Sequence, residues 1–170
     1  MTVTTKMVMK WGPCADYTQA KISKLIGKGK TPLKICDNTV IPAADTLWVL
    51  LHEEIIPAKE LHELACKFAE RALKRERKTG REPAKASWDA IKAKRLWLKG
   101  KITNEELDAA GDAVGDAASA AAGDAAWAAA WAAAGDAAWA AALAAARTAA
   151  WAAEQKAQLK LVRKVLEKIK

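Results

Sequence analysis

GDAAWAAAWAAAGDAAWAAALAAARTAAWAA, Gly123 to Ala153, decides how the rest of the chain is read. It is mostly alanine, yet it holds Trp127, Trp131, Trp139 and Trp151, four of the eight tryptophans, at separations that are multiples of four. Upstream the same phase takes in Leu107, Gly111, Gly115 and Ser119, and Asp108, Asp112, Asp116, Asp124 and Asp136 stand one place later. Alanine is the best helix former, so the run is expected to be helical. On an α-helix a step of four advances the phase by roughly 40°, and from Trp127 to Trp151 the tryptophans wind through about 240°. One flat partner surface cannot cover them all.

Three arrangements satisfy that pattern. A continuous helix can be wrapped by neighbours on several sides, the run can break near Gly111, Gly115 or Gly123, or a long helix can project. An unbroken helix of about fifty residues would extend roughly 75 Å. The expectation is therefore a break or kink between 111 and 124, where each glycine costs about 1 kcal/mol relative to alanine.

Working outward, helix punctuation is frequent and strand signals are nearly absent. Thr103-Asn-Glu-Glu106 has the residue types of a capping box and predicts a helix start at about 104. Before it, Pro83 opens a helix with a stripe of Ala84, Trp88, Ile91 and Leu98, and Gly100 closes it. Leu61, Leu64, Ala65, Phe68 and Ala72 give one apolar face of a helix opened by Pro57 and ending near Thr79-Gly80. Pro42 suits the first turn of a helix through ADTLWVLLHEEI. Asp16 with Gln19 predicts a short helix over about 17 to 27, and residues 28 to 40 read as a connector containing Pro32, with LKIC as a short extended piece.

The fold class is all-α: a multi-helix bundle with a long Ala/Trp-rich C-terminal helix or helical hairpin. A helical region over 1–101, including a basic helical hairpin, precedes an alanine-rich region with a basic tail over 102–170, the two packed as one domain. A chain of 170 residues supports one such unit.

Net charge is +8, unevenly spread. Lys67 to Lys101 carries 13 basic residues against 4 acids, Thr103 to Ala153 is net −6, and Glu154 to Lys170 is net +4. These regions partly neutralise one another. Lys74, Arg75, Arg77, Lys78, Arg81 and Lys85 are the candidate phosphate contacts. No aromatic residues interleave with KRERKTGR, so stacking on single strands is not indicated.

Catalytic motifs are missing. His52 and His62 are each followed by glutamate, but neither forms HExxH, and His62 with Cys66 at a spacing of four gives two metal ligands where a site needs more. There is no GxSxG, phosphate loop or dinucleotide fingerprint. The expectation is a non-enzyme without metal or cofactor. Cys14, Cys36 and Cys66 are odd in number with no CxxC pair, and MTVTTKMVMKWGPC lacks a signal-peptide core, so the expected setting is a reducing cytoplasm, with no membrane span.

LWVLLHEEIIPAKELHELACKFAERAL, a basic linker, then PAKASWDAIKAKRLWLKGKITNEELDAA running into alanine repeats resembles the alanine-rich immunity proteins of bacteria and phages over about residues 47–153. That resemblance implies a protein that binds and neutralises a toxin or a host-defence factor. The candidate partner contacts are Trp127, Trp131, Trp139, Asp124 and Asp136; the tryptophans are core if internal and anchors if exposed. A nucleic-acid or signalling-nucleotide binder using 67–101 is the alternative. The small residues Gly111, Gly115 and Ser119 also permit close helix contact, and a homodimer is a further expectation.

Overall fold

The computed structural model describes residues 1–78, 80, 82–121 and 151–169, with side chains described up to Ala113 and again from Ala153. Among the described residues there are eight helices and no strand. The protein is all-α, and no helix among the described residues is long and apolar enough to cross a membrane.

Two compact units divide the chain, Met1–Ile56 with Ala152–Lys170, and Pro57–Trp151. The first holds helices α1 (Thr5–Lys10), α2 (Gln19–Ile26), α3 (Pro32–Cys36) and α4 (Ala43–Leu50), together with α8 (Trp151–Lys168) from Ala152 onward. Its core is aliphatic: Val3, Ile35, Leu50, Ile56 and Val162 are all fully buried.

Short threonine-capped helices replace what the sequence presents as connector. Thr4, Thr18 and Thr31 each accept a hydrogen bond from the backbone N–H three residues on, which starts α1, α2 and α3. The α2 cap is thus Thr18, not Asp16. LKIC is helical rather than extended, because Thr31 caps it and Pro32 opens it with its φ already fixed. Helix α4 stops at Leu50, earlier than ADTLWVLLHEEI suggested; the turn that follows still buries Ile55 and Ile56.

One β-bridge closes the first loop. Val3 and Lys30 exchange both backbone hydrogen bonds, at 2.9 and 3.0 Å. Gly29 makes this approach available: its φ is +123°, and a Cβ there would meet Thr2 Cγ2 at 2.6 Å.

The second unit contains α5 (Ala58–Lys78), α6 (Lys85–Trp97) and α7 (Asn104–Ala121), with α6 packed on both of its neighbours. Helix α5 buries Leu61, Leu64, Ala65 and Phe68, four of the five residues of the predicted face; at its far end Leu73 is buried in place of Ala72, which is only half-buried. On α6 the buried residues are Ser87, Ala90, Ile91 and Lys94. Their centre lies about 70° around the helix from the predicted stripe of Ala84, Trp88, Ile91 and Leu98. Trp88 packs only partly buried against Cys66, Ala69, Leu73 and Ile91.

Helix α7 begins where the capping box places it. Glu106 N–H donates to Thr103 Oγ1 at 3.2 Å, and Thr103 N–H donates to Glu106 Oε2 at 2.8 Å. The helix runs unbroken through Gly111 and Gly115 to Ala121, against the expected break in that stretch. Alanines flanking the two glycines offset their cost of about 1 kcal/mol each. Gly123 lies outside the described residues.

Candidate functional site

The basic hairpin was the sequence's densest cluster of cations, and three of the six named there, Arg75, Arg77 and Lys85, are engaged within the chain. Arg77 binds Glu82 through Nε, at 2.9 and 3.1 Å, and through Nη2 at 2.5 Å. Its guanidinium also lies 5.2 Å from the centroid of the Trp88 ring. This bidentate pairing holds the Arg77 pKa above its ordinary value. Lys85 pairs with Asp89 one turn along α6 at 2.5 Å. Arg75 also interacts within the chain. Lys74, Arg77, Lys78 and Lys85 are all exposed, and Arg81 lies outside the described residues.

Polar contacts also join the three helices of this unit. Arg95 on α6 pairs with Glu70 on α5, which holds the Glu70 carboxyl below the usual carboxylate range. Trp97 Nε1 donates to Asn104 Oδ1 at 2.7 Å, linking the end of α6 to the start of α7. The His62 ring meets Trp97 edge-on, with centroids 5.5 Å apart and planes at 90°. Lys94 is 3% exposed and stands over the same indole. Burial lowers its pKa, while Cys66 and Asp108 act in the opposite sense.

The residues that first invited a catalytic reading sit in packing roles. His52 stacks on Trp11 with centroids 4.1 Å apart and planes 10° from parallel, and Trp48 meets both rings edge-on. Desolvation lowers the His52 pKa. Cys66 is buried and its thiol is pushed up by the same cause, which leaves little of the reactive thiolate. Cys36 donates to Leu159 O at 3.7 Å, and its pKa is pushed up to about 11. Among the described residues no three of His, Cys, Asp and Glu gather as metal ligands.

What α7 offers to solvent is acidic. Leu107 is buried, whereas Glu105, Asp108 and Asp112 are exposed. Their spacings of three and four put these carboxylates within an arc of about 60°. Asp116 follows four residues later in sequence, and then Asp124 and Asp136 in the same phase. The five predicted partner contacts, Trp127, Trp131, Trp139, Asp124 and Asp136, lie outside the described residues.

Sequence reasoning missed Lys94 as a buried cation, because a lysine inside a basic stretch reads as surface. A signal was there: Ser87, Ile91 and Lys94 share one helical face with Ala90. It also missed the Trp11–Trp48–His52 cluster: Trp48 and His52 are four residues apart, but Trp11 lies 37 residues before Trp48, out of reach of any local period. No family model, curated protein or solved structure matches this chain.

Proposed function

We propose that this chain is a non-catalytic binding protein that occludes a basic partner protein, as an immunity protein blocks a toxin or a phage protein blocks a host-defence factor. The acidic face of α7 carries the reading: Glu105, Asp108 and Asp112 are exposed opposite buried Leu107. Carboxylates arrayed on one face of a rigid helix steer a basic partner and fix its register. Three free cysteines suit a reducing cytoplasm as its place of action.

The alternative, phosphate binding by the hairpin, has Lys74, Arg77, Lys78 and Lys85 exposed among the residues first named for it, with Arg77 and Lys85 already paired with Glu82 and Asp89. Its signature would be an affinity falling steeply with salt.

The test is affinity purification from a bacterial lysate, followed by rebinding of the purified partner in a calorimeter. One basic protein is expected to bind the wild type and to be lost with Asp108→Lys/Asp112→Lys. Asp124→Lys and Trp127→Ala extend the test along the sequence. A partner held equally well by every variant would place the binding surface elsewhere and sink the proposal.

A further inference from the structure

Helix α8 carries a charge pattern of its own. Lys156, Lys160, Lys164 and Lys168 recur every four residues and all are exposed, whereas Val162, Val165 and Leu166 are buried. Arg163, on the same helix, is engaged by Asp37 and Glu167. The four lysines have no ion pair among the described residues.

On α7 the acids repeat on the same geometry with opposite sign. A step of four residues rises about 6 Å on any α-helix, so a lysine ladder and a carboxylate ladder built on that step stay in register. Both ladders drift around their helices in the same sense, by about 40° per step.

We infer that two copies of this chain pair reciprocally, the α8 lysine ladder of each lying along the α7 acidic ladder of the other. Such an interface is self-complementary, as a twofold dimer requires. A nucleic-acid duplex would also satisfy a row of lysines, but it offers nothing to the carboxylates; a second copy satisfies both. Single exposed ion pairs contribute little. Two ladders engaged at once share the cost of bringing the copies together, and screening over about 8 Å at physiological salt keeps the association weak and salt-sensitive.

Self-pairing would cover the face assigned above to a basic partner, which must then displace the second copy. The inference rests on that reading of α7 only for its acceptor face. Its test needs the purified chain alone, so either proposal can fail without the other.

Analytical ultracentrifugation of the full chain at low and high salt is the experiment, with circular dichroism confirming helix content. The wild type is expected to dimerise at low salt and to dissociate as salt rises. Lys160→Glu/Lys164→Glu reverses the centre of the lysine ladder, and Asp108→Lys/Asp112→Lys reverses the two acids at its counterpart, so that in each variant alone like charges meet at those positions. Each alone should associate at least about tenfold more weakly, because like charges then face each other. An equimolar mixture of the two should recover the dimer, and a chain with all four changes should self-associate like the wild type. A wild type that stays monomeric at low salt overturns the inference. So does a mixture no more associated than its components, or a monomer that binds a DNA duplex through α8.

Discussion

Lys94 Nζ lies 4.1 Å from the centroid of the Trp97 indole, three residues further along the same helix. The ring face offsets part of the cost of burying the ammonium, whose pKa is still lowered by desolvation. The unfolded chain therefore holds that proton more tightly than the folded one. Stability gains from Lys94 as pH rises from its folded value towards about 10.4, and loses as pH falls through that window. Lys94→Met removes the term. At neutral pH the variant should be as stable as wild type or up to about 1 kcal/mol more so. Urea unfolding should show that margin shrinking as pH rises.

Thr103 and Glu106 satisfy each other's backbone N–H at the start of α7. Thr103→Ala should cost about 1 kcal/mol. Thermal melts followed by circular dichroism check this, and Thr103→Ser should restore most of the loss.

Gly29 occupies a backbone conformation that side chains rarely adopt, and an added Cβ would run into Thr2. Gly29→Ala is expected to destabilise by about 1–3 kcal/mol. Hydrogen exchange should show the Val3 and Lys30 amides losing protection before the rest of the unit does.

Glu82 is exposed, so its pairing with Arg77 contributes little to stability despite the good geometry. Glu82→Gln should change the unfolding free energy by no more than about 1 kcal/mol. It should also free Arg77 for anions. A modest rise in heparin retention would accompany it, and unchanged retention would show Arg77 held by Trp88 alone.

Ser87 is fully buried in α6, and its hydroxyl has no hydrogen-bond partner among the described residues. Ser87→Ala removes that orphan and inserts a better helix former. A gain of about 1 kcal/mol in chemical denaturation is expected.

The start of α7 was legible because Thr103 and Glu106 make a two-sided capping box, whereas the threonine caps of α1, α2 and α3 have Met7, Lys21 and Lys34 in place of the reciprocal Glu or Gln. Most of the face of α5 was legible too, since Leu61, Leu64 and Phe68 are large, apolar and three or four residues apart, but its end was read at Ala72 where Leu73 is the buried residue. Helix α6 misled because its buried face includes a serine and a lysine, which apolar patterning ignores. Helices α1 and α3 are six and five residues long, below the length at which helices stand alone in water. Packing holds them: Val8 and Ile35 are buried, and no local pattern records those contacts. For the candidate site, the acids of α7 were visible as a period. The engagement of the hairpin cations was not, since it depends on which carboxylates the turn after α5 brings back to Arg77.

The first unit is discontinuous in the chain, and this imposes an order of events. Cys36 donates to Leu159 and Arg163 pairs with Asp37, contacts that span 123 and 126 residues. On the ribosome, residues 57–151 emerge complete before α8 exists, so the segment that comes first in sequence is the last to be finished. Until α8 arrives, Cys36 lacks its Leu159 acceptor and Asp37 its Arg163 partner, and a truncation within the last nineteen residues should therefore destabilise the beginning of the protein.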